Sequence, residues 1–124
     1  MQQEELTHNI IGAAMEVHRL LGNGFQEVIY QRALAIELEN RGINFSREHE
    51  MAIHYKKHVV GTRRVDFFVD EQVMVEIKAI INLEDVHLAQ AMNYIEAYNL
   101  PIGLLINFGA KSLQFKRVHN NKIM

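Results

Sequence analysis

The stretch Val65-Asp66-Phe67-Phe68-Val69-Asp70-Glu71-Gln72-Val73-Met74-Val75-Glu76-Ile77-Lys78 reads as two strands joined by a short polar turn. Side chains alternate across a strand, so Glu76 and Lys78 share a face. A three-residue loop at Asp70-Glu71-Gln72 pairs Val69 with Val73. Counting back, Phe67 then opposes Val75, Asp66 opposes Glu76, and Arg64 opposes Lys78. Directly opposed residues share a face with Cβ atoms ~5 Å apart. A two-residue loop would break this parity, so the arrangement demands an odd loop. Val65, Phe67, Val75 and Ile77 are expected to bury one side of the hairpin and leave the charges on the other.

Two ionised carboxylates at that spacing repel by roughly 3 kcal/mol at an effective dielectric of 20. A divalent cation compensates, and Mg²⁺ suits one or two carboxylates completed by water and phosphate oxygens. Lys78 is a second compensating charge. Phosphodiester hydrolysis needs both kinds: a Lewis acid and a fixed cation facing the developing phosphorane charge or the attacking water. The same short spacing equally suits an Asp–Lys–Glu salt-bridge cluster on a solvated sheet face.

Outward from the hairpin, Glu4 to Leu21 has apolar residues Ile10, Ile11, Ala14, Met15, Val17 and Leu21 at helical spacing. Gly22-Asn23-Gly24 stops that helix. A second helix is expected from about Gln26 to Arg41, with Val28, Ile29, Ala33, Leu34, Ile36 and Leu38 inward and Gly42 at its end. Ile43 to Tyr55 alternates imperfectly as a strand. Lys56-Lys57-His58 is a turn, and Val59 to Val69 is a strand bent at Gly61. Val73 to Ala79 is the next strand. A third helix is expected over Asn82 to Asn99, with Asn82 as its cap. Ile102 to Ile106 reads as a strand covered on both faces. Gly109 turns the chain into a last strand from Leu113 to Val118, and His119 to Met124 is expected to be loose. The order is helix, helix, three strands, helix, two strands. That is a mixed α/β (α+β) layer fold, expected as a single domain over residues 1–124.

The chain has 124 residues, no cysteine and a formal net charge of −2 with seven histidines neutral. Its length supports a core without disulfides or structural zinc, and the missing cysteine suits a reducing cytoplasm. No stretch approaches the ~20 apolar residues of a membrane span, and Met1-Gln2-Gln3-Glu4-Glu5 is unlike a secretory signal. The expected location is cytoplasmic, with no membrane partner. The net charge argues against a strong sequence-blind grip on nucleic acid but permits a local basic rim. Lys56-Lys57-His58, Arg63-Arg64 and Lys116-Arg117 are the small clusters available, each also readable as a solvated strand end.

Gln90 and Tyr94 stack at i, i+4 on the third helix, with His87 near the same side. Together, Asp66…Glu76-Ile77-Lys78 followed by Gln90 and Tyr94 resembles the PD-(D/E)xK nuclease superfamily. More narrowly, Val17-His18…Leu21-Gly22-Asn23-Gly24-Phe25-Gln26-Glu27-Val28-Ile29-Tyr30, with Gly103-Leu104-Leu105-Ile106-Asn107-Phe108-Gly109, resembles a small bacterial family named for its GxxExxY motif. The match runs from about Leu6 to Val118, with Val65 standing where Pro precedes the first acid. The resemblance implies a restriction-endonuclease-like core of helix, three-stranded antiparallel unit, helix and strand, plus an extra N-terminal helix and a C-terminal strand. It implies Asp66 and Glu76 as ligands of Mg²⁺ or Mn²⁺, with the Ile77 carbonyl as a third. Lys78 would be catalytic, with Glu27, Gln90 and Tyr94 assisting. The implied substrate is nucleic acid, DNA ahead of RNA, with a homodimer or protein partner helping to enclose it. A non-catalytic nucleic-acid- or protein-binding module on the same scaffold is the competing expectation, and a housekeeping domain with a structural charge cluster is a third.

Overall fold

The computed structural model describes residues 2–122. Its elements are α1 (Gln3–Leu21), α2 (Glu27–Asn40), β1 (Phe45–Tyr55), β2 (His58–Val69), β3 (Val73–Lys78), α3 (Asp85–Ala97), β4 (Ile102–Asn107) and β5 (Gln114–His119). The strands form one sheet in the order β1-β2-β3-β4-β5. The pairs β1–β2, β2–β3 and β4–β5 are antiparallel, while β3–β4 is parallel. A parallel pair needs a crossover, and α3 supplies it. This is the layout expected for a restriction-endonuclease-like core, with α1 and β5 as the additions.

Two apolar clusters cover the sheet. On one face α1 and α2 pack against Phe67, Val69, Val73, Val75, Ile77, Ile102, Leu104 and Ile106. On the other, Ala91 and Ile95 of α3 meet Val65, Met74 and Val118. β4 is buried throughout, as its continuous apolar run requires. The inner face of α2 differs from the expected one. It buries Tyr30, Gln31, Leu34, Ala35 and Leu38, a stripe at i, i+4, i+8, and leaves Val28 and Ile36 exposed. Met15 of α1 is exposed as well.

The hairpin register is as counted: Val69 opposes Val73, Phe68 opposes Met74 and Phe67 opposes Val75. The ladder stops there, so neither the expected Asp66–Glu76 opposition nor the Arg64–Lys78 one forms as a strand pair. Val65 and Phe67 are two apart yet lie on opposite faces, Val65 with α3 and Phe67 with α1 and α2. The hairpin is therefore not buried on one side only. The alternation inverts at Asp66, opposite Glu48, whose φ is +50° and whose pairing is missing from an otherwise continuous β1–β2 register. Farther out, the register slips between Ile53 and His54, beside Gly61.

Helix α3 starts later than expected. Gln114 Nε2 donates to Asn82 Oδ1 (2.6 Å) and Gln114 Oε1 accepts from Leu83 N (2.9 Å), which holds 82–83 as an extended link. Glu84 becomes the cap residue, and its N–H donates to His87 Nδ1 at 2.9 Å. The stretch after β5 is not loose at its start. Buried Asn120 donates to the Ile95 and Leu100 carbonyls, and Lys122 pairs with Glu96; Ile123 and Met124 lie outside the described residues.

Asn107, fully buried at the end of β4, holds the segment that follows Lys78. Its Oδ1 accepts from Ile80 N and Gly109 N, and its Nδ2 donates to Ile80 O and Gln114 Oε1, all at 3.0 Å. Gly109 then passes so close that a Cβ there would lie 2.4 Å from Ile80 N and O. Both backbones are pinned by Asn107, so neither can yield. Gly109→Ala should cost about 3 kcal/mol, the upper end for overpacking, and lower the melting temperature by roughly 10 °C. Gly24→Ala, with nothing near its Cβ, should stay within about 0.5 kcal/mol. Thermal unfolding of the two variants checks this, and equal melting temperatures would refute it.

Candidate active site

The site begins where β2 leaves β3. Beyond Phe67 and Val75, β2 no longer reaches its neighbour, and the Ile77 N–H would lose its acceptor inside the protein. Asp66 Oδ2 accepts that N–H at 2.7 Å. Its Oδ1 accepts from Gln31 Nε2 of α2 at 3.2 Å. Gln31 Oε1 in turn accepts from Arg47 Nη2 of β1 at 3.0 Å. Arginine only donates, so Arg47 forces the Gln31 oxygen its way and the amide nitrogen toward Asp66. Asp66 is thus held from a helix and a strand, at the point where the strand changes face.

Glu76 lies next along β3 on the α3 side, only 4 % exposed. Its Oε2 pairs with Arg63 Nη2 at 3.2 Å, while its Oε1 is buried without a donor. Burial, reinforced by the nearby Asp66 charge, pushes the Glu76 pKa up to about 8; Arg63 and Lys78 oppose the shift. Glu27, at the first turn of α2, also has a raised pKa. Desolvation is the main cause and Asp66 adds to it, with Lys78 and Arg63 pulling down. Those mutual influences place Glu27, Asp66, Arg63 and Lys78 in one electrostatic neighbourhood.

The expected site residues come together in two adjoining spaces rather than one. Glu27 and Asp66 line a cleft of about 200 Å³ with Val28, Gln31 and Glu48. Glu76, Lys78, Gln90 and Tyr94 line a small, partly open space of about 10 Å³ with Arg63 and His87, room for about one water. Between them lies the fork at Asp66 and Ile77. The N–H and C=O of one strand residue face the same neighbour, so the Ile77 carbonyl shares the gap that its N–H shares with Asp66. A roomier hollow beside Asn44, Ser46 and Glu71 lies at the far end of the hairpin and has no such convergence of charge.

Arg63, expected only as part of a basic cluster at a strand end, instead joins this group of residues. Besides holding Glu76, its guanidinium lies 4.8 Å from the centroid of the Tyr94 ring. Its signal was present: in regular alternation Arg63 is in phase with Val65, Phe67 and Val69, and a charge on an apolar stripe means the stripe turns over. His87 is an α3 cap ligand, and His18 Nε2 lies 3.0 Å from the Ala110 carbonyl. Tyr30, last of the Gly24-x-x-Glu27-x-x-Tyr30 spacing, is wholly buried. Its hydroxyl donates to Gly22 O (2.6 Å) and accepts from Phe25 N (3.2 Å), and its ring stacks on Phe108. It fixes the loop that delivers Glu27.

A model of the PD-(D/E)XK nuclease superfamily matches residues 4–118. The chain belongs to this superfamily. Its members typically use divalent metal ions. Among solved structures, the crystal structure of SSO0001 is similar, with a TM-score of 0.61 and 17 % sequence identity. That likeness concerns the fold, and covers 76 % of this chain and 50 % of that one, so the chain spans about half the length of SSO0001. No curated protein matches the chain. Among the described residues, no helix is long and apolar enough to cross a membrane.

The residues fit a divalent cation. Asp66 has used two of its roughly four acceptor sites, Glu76 Oε1 has no donor, and the Ile77 carbonyl faces the same gap. Among the described residues no three acidic or histidine side chains stand close enough to form a cage.

The pH dependence follows with a definite sign. The folded pKa of Glu76 is raised above 4.5, so its protonated form favours folding. That contribution is complete below about pH 4.5, declines as pH rises, and is gone above about pH 8. Without divalent cations, Glu76→Gln should match the wild type near pH 4 and exceed its stability by roughly 5 kcal/mol above pH 8, at about 1.4 kcal/mol for each unit between 4.5 and about 8. Urea unfolding at both pH values measures this, and an identical difference at the two would contradict the raised pKa.

Proposed function

We propose that this chain is a divalent-cation-dependent nuclease that hydrolyses phosphodiester bonds, in DNA in preference to RNA, and that it is a GxxExxY-type member of its superfamily. One observation carries the reading. Asp66, Glu76 and Lys78 meet at a fork in the sheet where Glu76 Oε1 is buried without a partner. A structural salt-bridge cluster would have closed that oxygen off.

Asp66, Glu76 and the Ile77 carbonyl would hold Mg²⁺ or Mn²⁺. The cation, when bound, supplies Lewis acidity toward a phosphoryl oxygen. Lys78, on the α3 side of β3 with Glu76, contributes a fixed positive charge where the phosphorane oxygens become more negative. Glu27 approaches from α2, and its raised pKa moves it toward the range useful for accepting a proton from water. The Gln90 amide and Tyr94 hydroxyl, one helical turn apart on α3, would orient a phosphate oxygen. Both apolar clusters rest on the same sheet, which supports reading the chain as a single nuclease-like domain.

The competing reading, a non-catalytic binding module, is favoured by the ion pair of Arg63 with Glu76, which already neutralises one carboxylate. Incubation with duplex DNA, single-stranded DNA and RNA in Mg²⁺ or Mn²⁺ separates the two. Cleavage is expected for the wild type, with a loss of about 100-fold or more in Lys78→Ala and a comparable loss in Asp66→Asn. Undiminished cleavage by Lys78→Ala refutes the assigned role. Intact substrates together with retained nucleic-acid binding by the wild type support the module.

A further inference from the structure

β1 and β2 continue past the sheet. β3 pairs with β2 only over Phe67–Val69, while β2 stays paired with β1 out to Tyr55 and His58. The α3 cluster reaches only the root of this ribbon, at Met51 and Val65. Residues 54–62 are all exposed, including Tyr55, Val59 and Val60, each more than 60 % accessible. From Glu48 to the turn is eight residues, a reach of roughly 25 Å at ~3.3 Å each.

The charge of this arm opposes that of the rest of the chain. Residues 51–62 contain Lys56 and Lys57 and no acid, a contribution of +2, so the remainder carries −4 (−2 − 2). Among the described residues neither lysine has an acidic partner; Lys56 lies over the ring of exposed Tyr55, 5.5 Å from its centroid. The turn is also strained in its backbone, as is the turn at Asp70 and Glu71, where φ is +51° and +54°. Lys56 has φ +47° and Lys57 φ +71°, the two positive values of a type I′ hairpin, which favours Asn-Gly. Lysine is held there against its conformational preference. Such strain in a folded chain points to a function at that place.

We propose that the β1–β2 arm is a ribbon that grips duplex DNA flanking the cleavage site. The proposal rests on the nuclease reading above. The B-form major groove is about 12 Å wide and admits a two-stranded ribbon, and lysines at the tip meet phosphates on its walls. The A-form major groove is too deep and narrow for this. The arm is rooted at the site itself, since Arg63, at its base, contacts Glu76 and Tyr94. The tip therefore engages the duplex roughly six or seven base pairs from the scissile bond, at 3.4 Å per pair.

Two double variants test it, by fluorescence anisotropy on a duplex of about 30 base pairs without divalent cations and by thermal unfolding. Lys56→Asn/Lys57→Gly relieves the turn, so the melting temperature should rise by several degrees while duplex binding weakens. Lys56→Gln/Lys57→Gln removes only charge, so the melting temperature should hold. In both, the slope of log K against log salt should fall by about 2, at ~0.9 per phosphate contact. Wild-type affinity and slope in the glutamine variant overturn the proposal. If the wild type binds and cleaves DNA and both variants match it, the arm inference fails alone; if the wild type neither binds nor cleaves any nucleic acid, the nuclease reading fails with it. Loss of self-association in the variants with unchanged DNA binding assigns the arm to a second copy of the chain and likewise overturns the proposal.

Discussion

The Ile77 amide sets the terms for this molecule. It is buried in the middle of a sheet at the point where β2 has turned away, and a buried N–H without an acceptor costs on the order of 1–3 kcal/mol. Asp66 Oδ2 supplies the acceptor at 2.7 Å. A carboxylate can do this with one oxygen and still present a second oxygen and a negative charge, which a backbone carbonyl lacks. The fork is therefore both a structural necessity and an opening. It lets β2 invert its face, releases the β1–β2 ribbon from the sheet, and leaves a gap bounded by Asp66, the Ile77 carbonyl and Glu76.

The electrostatics of the gap are held under tension. Glu76 is buried, and the Asp66 charge beside it raises the cost of its ionisation further. Arg63 and Lys78 offset this only in part. Burying a charge without full compensation is expensive, so the protein accepts a loss of stability at neutral pH to keep Glu76 where it is. Asn107 and Tyr30 are the supports. Asn107 pins the chain just after Lys78, and Tyr30 pins the loop before Glu27. Both fix the elements that carry the charged cluster, Asn107 as the β4 neighbour of Lys78.

Much of this was legible in the residues themselves. The odd loop at 70–72 set the hairpin register, and the observed pairing agrees with it at each of the three positions where the strands remain together. The helix stop at Gly22 and the doubly covered strand at Ile102 were plain from composition. The inversion at Asp66 was not, because alternation presumes unbroken extended backbone and nothing in the letters marks Glu48 as adopting a φ of +50°. That one event moved Val65 to the other face, brought Arg63 to Glu76 and ended the pairing before Lys78. The start of α3 was misread for a different reason. Asn82 is a good cap in isolation, but Gln114, 32 residues away, holds its side chain, and a tertiary contact outweighed the local preference. The inner face of α2 was obscured because its buried stripe includes a glutamine and a tyrosine, whose polar atoms are satisfied by Asp66, Arg47 and Gly22.

The fork also explains how a small chain of net negative charge would meet nucleic acid. In the proposed reading the acids of the site lie at the buried fork, while Lys56 and Lys57 reach outward at the tip of the ribbon that the fork releases. The account stands or falls on whether the gap at Asp66 and Glu76 accepts a divalent cation. Calorimetric titration of Mn²⁺ at pH 7, in two buffers of different ionisation enthalpy, measures this directly. The account predicts a single-site isotherm with release of about one proton as Glu76 ionises, and loss of both binding and proton release in Asp66→Asn. Absence of binding at millimolar Mn²⁺, or binding that Asp66→Asn leaves unchanged, would contradict it.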